Sequence, residues 1–219
     1  MYAAIGTRPD IAFAVQALGQ YSSNPGPTHW TAAKHVIQYL LTTKNHVLTL
    51  GGPHLRLKGW TDSDWGSNPD DRHSISAYLF SLGGGAISWS SKKQPTVSTS
   101  STEAEYIASC HATKEAVWLW TLLKLIGFEQ LSATVICCDN RGSNDLTKDP
   151  SFHARTKHID IQFHYICERV ADNQVSFIYI PSKENPADLL TKRLPQPAFT
   201  FLHGLLNLFP RNPIAHTPT

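Results

Sequence analysis

Apolar positions along this chain repeat first with a helical period, then with a strand-like one, and then alternate between the two. From Arg8 to Leu50 the pattern is helical. Ile11, Ala12, Val15 and Leu18 recur at helical spacing behind Pro9, a residue that a first turn tolerates. Ser23-Asn24-Pro25-Gly26-Pro27 breaks that helix. Thr28 is placed to cap a second one carrying Trp30, Ala33, Val36, Ile37, Tyr39 and Leu40. Two amphipathic helices alone make a poor domain, so this segment reads as a helical appendage or the end of something larger. After Gly51-Gly52-Pro53 the texture changes. Leu57 to Trp65 reads as a strand with an acidic end, Ala77 to Leu82 as a second strand and Ala86 to Ser90 as a third. Gly83-Gly84-Gly85 supplies the hairpin turn. No helix follows those glycines directly, so they do not read as a phosphate loop.

Ser100 to Ile126 is predicted as one long helix closed by Gly127. Thr134 to Cys138 is short and apolar-to-small throughout, the mark of a central strand buried on both faces. Helices are expected over Asn140–Lys148 and His158–Ala171, a strand over Val175–Ile180, and a final helix over Pro186–Leu194. Past Pro195 the chain is proline-rich, with one apolar patch from Phe199 to Phe209, and reads as a tail. A meander followed by strand–helix alternation defines an α/β fold: a mixed five-stranded sheet flanked by helices, with an N-terminal two-helix extension.

Composition narrows the setting. The 219 residues are 41% hydrophobic, which suits one domain with a real core plus an extension. No apolar run is long enough to span a membrane, and Met1 to Asp10 does not resemble a signal peptide, so an intracellular location is expected. The formal net charge of +2 does not by itself demand nucleic acid. Local basic pairs are more telling: Lys92 with Lys93, Arg155 with Lys157, Lys192 with Arg193. The four cysteines form no CxxC pair and no zinc-like spacing. Cys137 and Cys138 sit in an apolar run, as buried reduced thiols do.

Four acids fall at element ends: Asp62 toward the end of the first strand, Glu105 in the first turns of the long helix, Asp139 after the buried strand, and Asp188 at the start of the last helix. All would open onto one sheet edge, where α/β proteins usually place their sites. Hydrolysis of a phosphodiester needs a nucleophilic water and a stabilised leaving oxygen, and two hard cations supply both. Magnesium takes oxygen ligands, so carboxylates are the right type. Other readings stay open. Asp62 with Asp64 could be a solvated strand end. A calcium loop from Asp62 is excluded, because Ser67 and His73 stand where glycine and glutamate are needed. Glu105 could close a capping box with Thr102, and Glu103 with Ser100. Asp139 could cap the helix after it, and Asp188 could serve the helix dipole alone.

Several stretches carry a resemblance: GWTDSDW from Gly59, AISWSSKKQPTVSTSSTEAEYIA from Ala86, TVICCDN from Thr134, RTKHIDI from Arg155 and ENPADLLTK from Glu184. Together they resemble the ribonuclease H region of copia-type LTR retrotransposon Pol polyproteins, over about Leu57 to Pro195. TRPDIAFAV from Thr7 and HWTAAKHVIQYL from His29 resemble the end of the reverse transcriptase and the connection in the same polyproteins, though no Tyr-x-Asp-Asp strand is present. The chain thus resembles a C-terminal fragment. This implies a helical remnant over residues 1–56, a ribonuclease H domain over 57–195 and a tail over 196–219.

The resemblance implies a ribonuclease H-like fold and an endonuclease that cuts the RNA strand of RNA–DNA hybrids. Its Asp, Glu, Asp, Asp quartet maps onto Asp62, Glu105, Asp139 and Asp188, with Glu105 rather than Glu103 matching the family's helix. Two Mg2+ ions are implied, with Mn2+ as a substitute, Asp62 and Asp139 bridging both and Glu105 and Asp188 each serving one. A hybrid must be recognised by its 2′-hydroxyls and phosphates. Ser63, Asn140 and Ser143 are candidates for the former, and Lys92, Lys93, Arg155 and Lys157 for the latter. Cellular ribonucleases H carry a histidine before the last helix that is thought to help product leave. Here the loop is Pro181-Ser182-Lys183-Glu184-Asn185, without one. The polymerase part of the same polyprotein is an implied partner, the membrane is not, and retrotransposon particles in the cytoplasm are the implied location. A catalytically inactive binding module is the rival reading. A transposase or integrase is disfavoured, since its glutamate comes last in the order of acids and Glu105 comes second.

Overall fold

The computed structural model describes residues 1–52, 55–68, 70–140, 142 and 157–211. Its centre is a five-stranded sheet built from β2 (Lys58–Asp64), β3 (Ile75–Leu82), β4 (Gly85–Lys93), β5 (Thr134–Cys138) and β6 (Val175–Tyr179), in the order β4-β3-β2-β5-β6. The first three strands form an antiparallel meander, while β5 runs parallel to both β2 and β6. The sheet is therefore mixed and flanked by helices, as the pattern of elements predicts. Gly83 and Gly84 both take positive φ, +61° and +87°, the signature of the tight hairpin turn between β3 and β4. Gly59 is needed for a different reason. A Cβ there would lie 2.5 Å from Cε1 of Phe80, the cross-strand partner whose ring fills that space.

Two apolar layers cover the sheet. On one face lie α4 (Ser101–Leu125) and α5 (Lys157–Ala171), where Phe80, Tyr106, Ile136, Phe163, Ile166 and Phe177 form the larger core. Ser100 starts α4 as its N-cap, accepting a hydrogen bond from the Glu103 backbone, and the Glu103 carboxylate turns back to Thr99. On the opposite face Ala77, Leu79 and Ala86 meet Leu189, Leu190, Leu202, Leu206 and Leu208.

That second layer corrects the expectation of a tail after Pro195. Residues Gln196–Gly204 form a helix, α6, and Leu208–Pro210 a strand, β7, which pairs antiparallel with β1 (His46–Leu48). Leu206 and Leu208 are fully buried, so this apolar patch is core. The last predicted helix differs too. Pro186–Leu190 is a 3-10 turn, begun by Asn185, whose side-chain oxygen accepts the Ala187 N–H while its amide donates to the Thr61 carbonyl. A buried side chain braced across to β2 at 2.9 Å sets this geometry.

The N-terminal segment holds α1 (Tyr2–Gly6), α2 (Ala12–Gly19) and α3 (Pro27–Thr42). Thr28 does not cap α3. Gly26 is the cap residue, Pro27 takes the first helical position that suits its missing N–H, and the His29 ring accepts the Gly26 N–H. These helices dock on the sheet: Trp89 Nε1 donates to the Ala4 carbonyl at 2.6 Å, and Asn68 donates to Gln20. The buried Asp10 carboxylate accepts from Arg8 and from the Tyr39 hydroxyl and faces His203 of α6. The helix expected over Asn140–Lys148 lies largely outside the described residues. No described helix is long and apolar enough to cross a membrane.

Candidate active site

The topology gathers the acids. β2 and β5 are adjacent and parallel, with Trp60 level with Cys137. Two residues further along, Asp62 and Asp139 leave the same sheet edge side by side, one strand spacing of about 4.8 Å apart. The 3-10 turn braced by Asn185 delivers Asp188 from the second layer, and the first turns of α4 deliver Glu105 from the first. One ligand atom from each of Asp62, Asp139 and Asp188 lies within 4.8 Å of the other two, and Glu105, Cys138 and Asp139 form a second such group. The four predicted acids thus meet in two overlapping sets that share Asp139. Glu103 stays at the helix cap, half-buried and tied to Thr99, pointing away from Glu105 as their spacing of two residues requires.

Each carboxylate is held. The Thr191 hydroxyl donates to Asp62 Oδ2, and the Ser182 hydroxyl to Asp139 Oδ2. The Ser63 backbone N–H donates to Glu105 Oε1 at 3.2 Å, and the Cys138 thiol faces Glu105 Oε2. Lys192 Nζ lies 3.0 Å from Asp188 Oδ2 and 3.7 Å from Asp62 Oδ2. Asp188 Oδ1 is buried with no hydrogen-bond partner among the described residues.

Burial and mutual repulsion shape the electrostatics. Asp62, only 1% exposed, is pushed up to about 8 by burial and then by the charge of Asp188. Burial, followed by Asp62 and Asp139, pushes Glu105 up to about 9. Asp188 is raised by burial as well, with Lys192 working the other way. Burial opposes the charge of Lys192, but Asp62 and Asp188 outweigh it and hold its amine above the usual range. Hard oxygen donors and an orphaned buried carboxylate oxygen fit divalent cation binding, which would relieve the crowding of like charges.

The predicted nucleic-acid contacts fare unevenly. Ser63 is buried, its hydroxyl without a partner among the described residues, and its backbone orients Glu105. Asn140 follows Asp139 and is half-buried. Lys92 and Lys93 are not brought together, because neighbours on a strand point to opposite faces. Lys92 is exposed, while Lys93 is ion-paired with Asp71 and also reaches Gln20. Ser143, Arg155 and the Lys157 side chain lie outside the described residues, as do His153 and the His158 side chain. Sequence reasoning did not assign Thr191, Ser182, Asn185 or Cys138 to the support of the acids, and it read Lys192 as part of a basic pair. Four of these five lie within or beside ENPADLLTK, so the signal was the motif itself.

The acid cluster stands at the shared edge of two central parallel strands on a mixed five-stranded sheet, the arrangement expected of a ribonuclease H-like fold. No family model matches the chain. The Pol polyprotein of transposon TNT 1-94 from Nicotiana tabacum is 44% identical over 208 residues, which is 95% of this chain and 16% of that protein. The polyprotein of transposon RE2 from Arabidopsis thaliana is 40% identical over 194 residues, covering 88% of this chain and 13% of that protein. The crystal structure of RNase H1 from Halobacterium salinarum aligns with 62% of this chain and 94% of its own, at 14% identity and a TM-score of 0.46. Over most of its length the chain is thus similar to retrovirus-related transposon Pol polyproteins, and it spans 13–16% of the length of those relatives.

Proposed function

We propose that this domain is a ribonuclease H that cuts the RNA strand of RNA–DNA hybrids during reverse transcription of a retrotransposon. The observation that carries the reading is the meeting of Asp62, Glu105, Asp139 and Asp188 from four separate elements at one sheet edge. Asp62, Glu105, Asp139 and Asp188 would together hold two divalent cations; Mg2+ is the expected ion and Mn2+ a substitute. When bound, such ions supply a water made nucleophilic near neutral pH and stabilise the departing oxygen.

The chain's own residues do the rest. Thr191 and Ser182 fix the orientation of Asp62 and Asp139, and the Ser63 backbone fixes Glu105. Such supporting hydrogen bonds decide which oxygens face the substrate. Burial of Asp62 and Glu105 keeps bulk water from screening the site. Asn140 is the described candidate for a 2′-hydroxyl and Lys92 for a phosphate, with Ser143, Arg155 and Lys157 as further candidates. We read residues 57–195 as the catalytic unit and 1–56 as a remnant of the polymerase connection. The exposed Trp30, Ile37 and Leu41 on α3 suit contact with the polymerase part of the polyprotein.

The test is cleavage of a labelled RNA–DNA hybrid by the whole chain, with Mg2+ or Mn2+, beside Asp62→Asn. Cutting that needs the ion, is stopped by chelation and falls by at least about a thousandfold in the variant is expected. A folded parent that leaves the hybrid intact with either ion would make the chain a binding module instead.

A further inference from the structure

Carboxylates packed this closely repel one another, yet the described residues place one cation against them. Lys192 sits four residues after Asp188, where the backbone still turns, its N–H donating to the Asp188 carbonyl at 3.3 Å. That turn lays the ammonium across Asp188 Oδ2 and toward Asp62 Oδ2. The lysine side chain is 35% exposed, against 2% for Asp62 and 7% for Asp188, so it closes the cluster from the solvent side. Its neighbour Thr191 is anchored to Asp62, which fixes where the lysine can reach. Only Oδ2 of Asp188 is engaged, and Oδ1 stays buried and unpartnered among the described residues.

We propose that Lys192 is a positioning residue, the built-in counter-charge of this site. It holds Asp62 and Asp188 together when no divalent ion is bound, and it competes with an incoming ion for the same two oxygens. The site therefore folds without metal, and it loads at a higher free-ion concentration than the bare acids would. This inference rests on the reading of the acids as a metal site.

The experiment measures Mn2+ binding by calorimetry, and melting in chelator and in saturating Mg2+, for the parent, Lys192→Met and Lys192→Arg. Removing the charge should tighten binding of one Mn2+ by about tenfold, since two cations a few ångströms apart repel even under strong screening. The methionine variant should also melt lower in chelator and gain more from Mg2+ than the parent does. Lys192→Arg should restore the parent's behaviour in both. Lys192→Gln carries the same expectation as methionine and replaces it should the latter fold poorly. Mn2+ uptake of equal strength in parent and uncharged variants overturns this inference alone. A folded parent that takes up no Mn2+ overturns the metal site and this inference together.

Discussion

Leu206→Ala asks whether the chain beyond Pro195 is part of the folded unit. Leu206 is fully buried between Leu202 and Leu208 in the layer that covers Ala77 and Leu79. The substitution removes three carbons from that layer, a transfer loss of about 2.4 kcal/mol at roughly 0.8 kcal/mol per buried methylene. Sheet residues beneath and Leu190 beside are themselves fixed, so the space left cannot close, and a cavity contribution brings the total to about 3 kcal/mol. That is a large share of the roughly 5–15 kcal/mol that holds a typical domain together. Urea unfolding followed by tryptophan fluorescence suits the measurement, because Trp60 and Trp89 pack against this same layer. With a slope near 3 kcal/mol per molar, the midpoint should fall by about 1 M. A change below about 0.5 kcal/mol, with the slope unaltered, would mean that residues 196–210 detach without disturbing the sheet. The reasoning from burial would then be refuted, and the segment would be the tail its prolines suggest.

Two further outcomes are expected. In chelator, the folded chain keeps protons on Asp62 and Glu105 that the unfolded chain releases near pH 4. Stability present below that pH should therefore be lost as pH rises through about 8 to 9. Urea midpoints at about pH 5, 7 and 9 would show it, and excess Mg2+ should flatten the slope; a flat profile in chelator would contradict the burial of these charges. Thr191→Val keeps the shape but deletes the hydroxyl donated to Asp62, and should weaken Mn2+ binding by about tenfold; unchanged binding would remove Thr191 from the site.

Much of this was readable from the residues. The acids were legible because each falls at an element end, and two facing parallel strands with a shared direction must bring their ends together. Helix geometry allowed only one of Glu103 and Glu105 to face the cleft, and the resemblance to the family's helix picked Glu105. What escaped was tertiary. Thr191, Ser182 and Asn185 are ordinary polar residues until the 3-10 turn folds over the edge of β2, and nothing local announces that contact. Lys192 read as half of a basic pair because its partners are distant acids. The ion pair of Lys93 with Asp71 spans a loop and leaves no mark in the local sequence. The three-residue strands β1 and β7 have no periodicity to detect, and the prolines flanking α6 masked its apolar stripe.

The pairing of β1 with β7 has a temporal side. His46–Leu48 is made well before Leu208–Pro210, its strand partner among the described residues. At ordinary synthesis rates the first strand waits roughly ten to thirty seconds for the second. Through that interval the edge of β1 lacks its partner, and the sheet residues Ala77 and Leu79 lack the late leucines that cover them. Closing so long a loop also slows the final step of refolding. The β1–β7 pair thus joins two segments that lie far apart along the described chain. The late-made leucines decide whether this face of the sheet is sheltered or left open to chaperones and proteases.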